Sequence, residues 1–344
     1  MTVHLDASLA ALRQSFAVAT FSDGGLLLHL PSGDFFELDA ESAAAWSAIT
    51  GTATSDQTVA VVAEARALSH SSARALVERA VTQGRAVTSH PPSGIPRFED
   101  DGPLLSLRDG EQIALSFDRR SLVLSATTSL RDRSDDDVAA ALRVFVPKIF
   151  GGWYPLALHA SAVELAGRVV LFSGDSGAGK TTTARVLADE IAGCRLLGED
   201  VVLSTEHAGA LMMVHGAEVA IQEWMNEATA ALVTRRAASV EVRPLREALA
   251  QRRERLPLHK IVFLDAARRR GAGWSFAPLA PSSALRSLFV HSFIHSSDAT
   301  ALRAHLAACR RVVDQLTATE AVAIPAGLDD LRTSSRAQIE TIAS

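Results

Sequence analysis

Eight consecutive residues, Gly174-Asp175-Ser176-Gly177-Ala178-Gly179-Lys180-Thr181, fit the pattern G-x-x-x-x-G-K-[ST] that cradles phosphate groups. Each residue type has a task at its position. The glycines let the backbone curl into a nest of N–H groups, and the following helix turns its positive end to the same place. Lys180 would reach the β- and γ-phosphates, and the Thr181 hydroxyl would take Mg²⁺. Thr182 continues the first helical turn beside them. The bland alternative is a glycine-rich turn between strand and helix that holds no ligand. An apolar run at 168–172 before the loop and helix-forming residues at 182–191 after it favour the first reading, with ATP and Mg²⁺ as the bound pair.

What the nucleotide is used for depends on acids elsewhere. Asp200 closes the run Leu196-Leu197-Gly198-Glu199-Asp200, twenty residues beyond Lys180. A carboxylate beside the γ-phosphate can accept the proton of an attacking hydroxyl, while its neighbour Glu199 supports the metal. The same pair also suits a solvated acidic strand edge. Asp265, after Ile261-Val262-Phe263-Leu264, competes as a Walker B acid. His159, inside an apolar run at 156–165, reads by itself as a packed core residue.

Strands and helices must hold these groups in place. Residues 104–117 read as a hairpin turning at Asp109-Gly110. A helix then follows with Val138, Leu142, Phe145 and Ile149 on its buried face. Further strands are expected at 156–165, 168–172, 196–203, 210–221 and 261–264, and a late helix with Leu302, Leu306, Cys309, Val313 and Leu316 on one side. Strands alternating with helices indicate an α/β fold, and the hairpins make its sheet mixed. Ahead of this, strands at 16–20, 26–30 and 34–38 precede three helices. Asp39 caps the first, which carries Trp46 and Ile49; Val59, Val62 and Ala63 mark the second. Ala73, Leu76, Val77, Ala80 and Val81 stripe the third. That order suggests a small winged-helix-like α+β module. Residues 89–103, with four of the twelve prolines, read as a linker. The expected division is residues 1–90, a linker at 91–103, and 104–344.

Composition narrows the options. The 344 residues carry 34 basic and 39 acidic side chains, a net charge of −5 that argues against a generic nucleic-acid binder. Two cysteines, Cys194 and Cys309, cannot form a disulfide framework, and no stretch reads as a membrane span or secretory signal, so a cytoplasmic protein is expected. Only Lys148, Lys180 and Lys260 are lysines; the other basic residues are arginine. A lysine kept under that bias in a phosphate loop has a chemical reason, because a compact ammonium fits a nest where a guanidinium fork does not. His291 and His295 have i, i+4 spacing but lack a third metal ligand nearby. No transition-state arginine can be chosen among Arg235, Arg236 and the run 251–255.

Taken together, Leu158-His159-Ala160-Ser161-Ala162-Val163, the loop 174–181 and Leu197-Gly198-Glu199-Asp200 resemble the catalytic domain of HPr kinase/phosphorylase, whose fold is related to phosphoenolpyruvate carboxykinase. The resemblance covers roughly residues 120–205 and extends more loosely towards 330. It implies a P-loop kinase domain in which Asp200 is the base for a serine hydroxyl, His159 handles phosphate-side protons, and Lys180 and Thr181 keep the roles above. Glu199 stands where the family has aspartate. The chain has His215-Gly216-Ala217-Glu218-Val219-Ala220 in place of the family's R-G-x-G signature. The resemblance therefore implies neither phosphorolysis nor HPr as acceptor. Residues 26–38 (LLLHLPSGDFFEL), followed by Asp39, Trp46 and two helices, resemble PqqD-like domains, which bind leader segments of ribosomally made peptides by strand addition. A structural or dimerising winged helix is the alternative for that module.

The expectation is a serine kinase acting on a peptide or small protein bound by residues 15–88, as in the tailoring of ribosomal peptides, with homo-oligomers an open possibility. A small-molecule kinase of the same fold and a nucleotide-gated peptide-binding ATPase are the alternatives.

Overall fold

The structure, a computed structural model, describes residues 2–31, 33–87, 98–100, 103–109, 112–165, 167–234, 237–252, 254–264, 274–293, 299–323 and 331–332. Packing separates two units. One comprises Met1–Gly94, Ala280–Phe289 and Ser296–Arg311; the other comprises Ile95–Leu279, Val290–His295 and Val312–Ser344. The division is therefore not sequential, unlike the split that the proline-rich stretch suggests. Segments from late in the chain belong to the first unit, where Arg303, for one, donates to the Arg13 carbonyl at 2.9 Å.

In the first unit, Phe16–Phe21, Gly24–His29 and Phe35–Asp39 pair in that order as an antiparallel sheet. Gly24 is required at its position, since a Cβ there would lie 2.4 Å from the Leu38 carbonyl oxygen. Leu27 joins the core around Trp46, while Leu26 and Leu28, on the opposite face by the period of two, are equally buried. The strands are tied to the late helix Pro281–Val290. Asp23 accepts a hydrogen bond from the Ser282 hydroxyl at 2.5 Å, and the Phe35 and Phe289 rings meet at 5.3 Å. Ala40–Gly51, Ser55–Arg66 and His70–Val87 are the three expected helices. Asp39 caps the first through the Ser42 N–H at 2.7 Å, and Ala73, Leu76, Val77, Ala80 and Val81 are all buried. The helix Thr2–Ser15 precedes them without a sequence signal that marks it.

The second unit holds a five-stranded antiparallel sheet in the order Ser239–Glu241, Val123–Ala126, Gln112–Asp118, Leu104–Asp109, Phe98–Asp100. Phe98–Asp100 corrects the linker reading. Asp100 is buried, and the Arg119 guanidinium donates to both its oxygens at 2.6 and 2.8 Å, which ties the strand to the end of Gln112–Asp118. Residues 88–97, 101–102 and the turn at 110–111 lie outside the described residues. Helices Asp135–Phe150 and Ala217–Val233 share a core with this sheet through Phe117, Val138, Leu142, Phe145, Ile221 and Trp224.

The larger sheet is mixed and curled. Its order is Arg195–Gly198, Ala160–Leu165, Arg168–Gly174, Arg255–Leu264, Ala210–Val214, Val202–His207, Leu156–Leu158, with Thr317–Ala323 and Ser275–Pro278 branching from Arg255–Leu264. Two strands expected to be continuous are broken. Residues 156–165 divide at His159, and 196–203 divide at Glu199-Asp200-Val201, because at those points the chain passes from one flank of the curl to the other. The expected strand 210–221 also ends early: Gly216, at φ +72°, begins the helix Ala217–Val233 instead.

Candidate functional site

The phosphate loop stands where its local chemistry puts it. Arg168–Gly174 is buried after its first residue and pairs in parallel with Arg255–Leu264, so Gly174 ends in the sheet interior. A Cβ on Gly174 would lie 2.2 Å from the Leu264 carbonyl oxygen, and its φ of +150° adds strain. Asp175, Ser176 and Gly177 are exposed, Ala178 is buried, and Gly179 in the left-handed region caps the helix Lys180–Glu190. Lys180 is only 5% exposed; its ammonium spans the loop and donates to the carbonyls of Gly174 at 2.9 Å and Asp175 at 3.0 Å. Thr181 is half-buried and Thr182 exposed. A concave loop closed by glycines, with a buried ammonium across it, fits a polyphosphate, and Thr181 is the side chain there suited to Mg²⁺.

Both strand breaks deliver side chains beside this loop. Register places Ala160 opposite Ser173 and Val202 opposite Leu158, so His159 and Asp200 are brought together next to the end of the phosphate-loop strand. His159 Nε2 lies 3.9 Å from Asp200 Oδ1. The His159 N–H donates to the His291 carbonyl at 2.8 Å, and its ring faces Phe293 at 5.9 Å. Burial holds the imidazole below its ordinary pKa, the Lys180 charge adds to this, and Asp200 opposes it. Asp200 has a φ of +60° and a side chain that is 75% exposed. A non-glycine residue in that region stores strain in the turn, and its carboxylate reaches solvent.

Glu199 does not have the freedom the sequence suggests. Arg185 Nε and Nη2 donate to its two oxygens at 2.5 and 2.7 Å, so a cation could be held there only by breaking this ion pair. The backbone N–H of Glu199 donates to Glu218, the second residue of helix Ala217–Val233. Burial pushes the Glu218 carboxyl up to about 7, and the charges of Glu199 and Asp200 add to the rise. Gly198 permits this approach, since Glu218 Oε2 would be 3.3 Å from a Cβ there. The turn that presents Asp200 is thus clamped on one side by the phosphate-loop helix and on the other by Glu218.

A cavity of about 420 Å³ opens beside these groups. His159, Glu199, Asp200 and Glu218 line it, together with Val144, Pro147, Ile221, Met225 and Phe293, and with Arg143 and Lys148. Sequence reasoning missed Glu218, Arg185, Phe293 and Lys148. Only Lys148 carried a signal, as one of three lysines in an arginine-dominated chain. Asp265, His295, Arg235, Arg236 and residue 253 lie outside the described residues. Among the described residues no group of three His, Cys, Asp or Glu side chains is placed to hold a metal ion, and no helix is long and apolar enough to cross a membrane.

No protein-family model matches the chain, and no curated protein matches it. Among solved structures, the chain is similar to the Hpr(Ser) kinase/phosphatase from Coxiella burnetii at 11% identity and a TM-score of 0.24, over 55% of this chain and 99% of that one.

Proposed function

We propose that the chain is an ATP-dependent serine kinase whose acceptor is a peptide or small protein recruited by its N-terminal unit. One observation carries the reading. His159 and Asp200, brought together by two breaks in one curled sheet beside the phosphate loop, line an apolar-walled cavity able to take an acceptor. Asp200 accepts the proton of the acceptor hydroxyl as its oxygen forms a bond to the γ-phosphorus. The bond from that phosphorus to the β–γ bridging oxygen breaks, and ADP leaves with the electron pair. Lys180 balances charge on the β- and γ-oxygens, and His159, neutral at pH 7, orients Asp200. Mg²⁺, when bound at Thr181, supplies further neutralisation of those oxygens.

Recruitment is supported by the first unit. Among the described residues Phe16–Phe21 is an edge strand, and a cavity of about 360 Å³ runs against it, lined by Thr20, Phe21 and Ser22 and by Ala44, Ala48, Val61 and Ala65 from two helices. An extended segment added to that edge finds backbone partners on one side and an apolar floor on the other. The cavity beside Asp200, at about 420 Å³, favours a small-molecule acceptor as the second reading.

The test is transfer of labelled γ-phosphate to a serine peptide by the full chain. Asp200→Asn is expected to lower kcat by about 10²–10⁴, the range for loss of a general base. Near-normal transfer by that variant refutes the assigned base. Val61→Arg, at a 44% exposed position in the edge cavity, is expected to raise KM for a long acceptor without changing kcat. An unchanged KM refutes recruitment there.

A further inference from the structure

Asp200 stands at the apex of a three-residue turn. The Val201 N–H donates to the Glu199 carbonyl at 2.6 Å, and Asp200 between them has a φ of +60°. That is the rarer, strained hand of such a turn, and it persists only where the surroundings over-determine it. The sheet fixes the chain on either side, with Gly198 opposite Ala162 and Val202 opposite Leu158. Inside the turn the anchored residue is Glu199. Its N–H donates to Glu218, and its carboxylate receives Nε and Nη2 of Arg185 at 2.5 and 2.7 Å. Two parallel bonds from a planar guanidinium fix a carboxylate in orientation as well as in place. Arg185 is 62% exposed, which weakens the pair, but the Glu199 side chain is only 14% exposed and is screened less than a surface acid. Arg185 belongs to the helix Lys180–Glu190 that begins at the phosphate loop. The pair therefore ties the turn carrying Asp200 to the element that would hold the nucleotide. An acid meant for a metal ion keeps oxygens open towards the site, whereas both oxygens of Glu199 are taken by a cation of the chain's own.

We infer that Arg185 and Glu199 are a positioning pair that sets Asp200 against the phosphate loop, and that Mg²⁺ is held without Glu199. The inference rests on the kinase reading, and it replaces the metal role that the sequence suggests for Glu199.

The two roles differ in sign for one pair of variants. Arg185→Met removes the guanidinium fork and keeps an unbranched side chain, while Glu199→Gln sets an amide N–H₂ against the fork. Were Glu199 a metal ligand, Arg185→Met would free it and lower the Mg²⁺ needed for half-maximal AMP-PNP binding, and Glu199→Gln would raise that requirement. For a positioning pair, either variant of the full chain is expected to lower kcat on a serine peptide by about tenfold, the range of one charge-assisted contact. The double variant loses no more than either single one, because the two residues act as a unit. KM for ATP and the Mg²⁺ requirement, read by calorimetry with AMP-PNP, stay unchanged. Arg185→Lys, a point charge without the fork, recovers part of the rate. Opposite shifts in the Mg²⁺ requirement overturn the assignment, as do additive losses or an unchanged kcat in Arg185→Met.

Hydrogen exchange followed by mass spectrometry tests the clamp without catalysis. In Arg185→Met the segment 199–202 should exchange about tenfold faster, while Arg168–Gly174 keeps its parent rates. Equal exchange at 199–202 in parent and variant overturns the pair. Should the parent phosphorylate no acceptor, the kinase reading fails, and the exchange and Mg²⁺ measurements then decide the pair by themselves.

Discussion

Residues 174–181 of the phosphate loop are contiguous, and each takes its place from its own backbone: glycines at positive φ, a helix N-terminus, and an ammonium folded onto two carbonyls within six residues of it. The cavity beside it gathers residues from the helix Asp135–Phe150, the break at His159, the turn 198–201, the helix Ala217–Val233 and position 293. Its geometry is a product of long-range pairing, and no short stretch of it is diagnostic. The comparison teaches that the two halves of the site should fail differently. Damage to the loop should be local and total, whereas damage to the cavity should be partial and visible mainly in turnover or acceptor choice.

The largest expected effect lies in the loop. Gly174→Ala sets a methyl 2.2 Å from the Leu264 carbonyl oxygen, on a backbone at φ +150° that side chains avoid. The oxygen belongs to backbone paired with strands on both sides and cannot swing away as a side chain would, so the nucleotide binding proposed above should disappear and the melting temperature should fall. Gly177→Ala is the control. Open space surrounds that position, and only its φ of +76° opposes a side chain, at a cost of about 1–2 kcal/mol. Thermal unfolding with nucleotide titration checks both, and equal behaviour of the two variants would show that packing against Leu264 is unimportant.

A smaller, selective effect is expected across the cavity. Glu218→Ala leaves the Glu199 N–H without its acceptor in a half-buried turn, a loss of about 1–3 kcal/mol that should loosen Asp200. At about 1.4 kcal/mol per decade, kcat should drop roughly tenfold or more while KM for ATP holds. Glu218→Gln keeps an oxygen acceptor and should restore most of the rate. Steady-state kinetics with both substrates varied distinguishes this from general damage, in which KM for ATP would rise and Gln would not rescue.

The same contrast explains what was legible in the sequence. The loop, the buried face of Asp135–Phe150 and the Asp39 cap follow from local patterns that tertiary structure did not override. His159 and Asp200 were singled out by resemblance; their spacing alone left both undecided, because their meeting depends on the register of Ala160 with Ser173 and of Val202 with Leu158. Glu218 was hidden by an error of period, since the apolar residues at 210–214 invite a strand that Gly216 then ends. Glu199 was legible as an acid but not as the partner of Arg185, which lies fourteen residues earlier on another element. The late helix carried a clear apolar stripe at Leu302, Leu306 and Cys309, yet nothing local says that these residues pack with the first unit.

The smallest expected effect concerns protons at the junction of the two halves. Burial and the Lys180 charge hold His159 below its ordinary 6.5, so in the folded protein it refuses a proton that the unfolded chain accepts. Above about 6.5 the side chain is neutral in both states and contributes no pH dependence. As pH falls below that value the unfolded chain binds more protons, and stability declines until the folded imidazole also titrates. His159→Gln removes this component and no other. The melting temperature of the variant, relative to the parent, should therefore rise as pH falls from 7 to 5. A difference that stays flat would mean that His159 titrates alike in both states, and that the Lys180 charge does not reach across from the loop to the cavity.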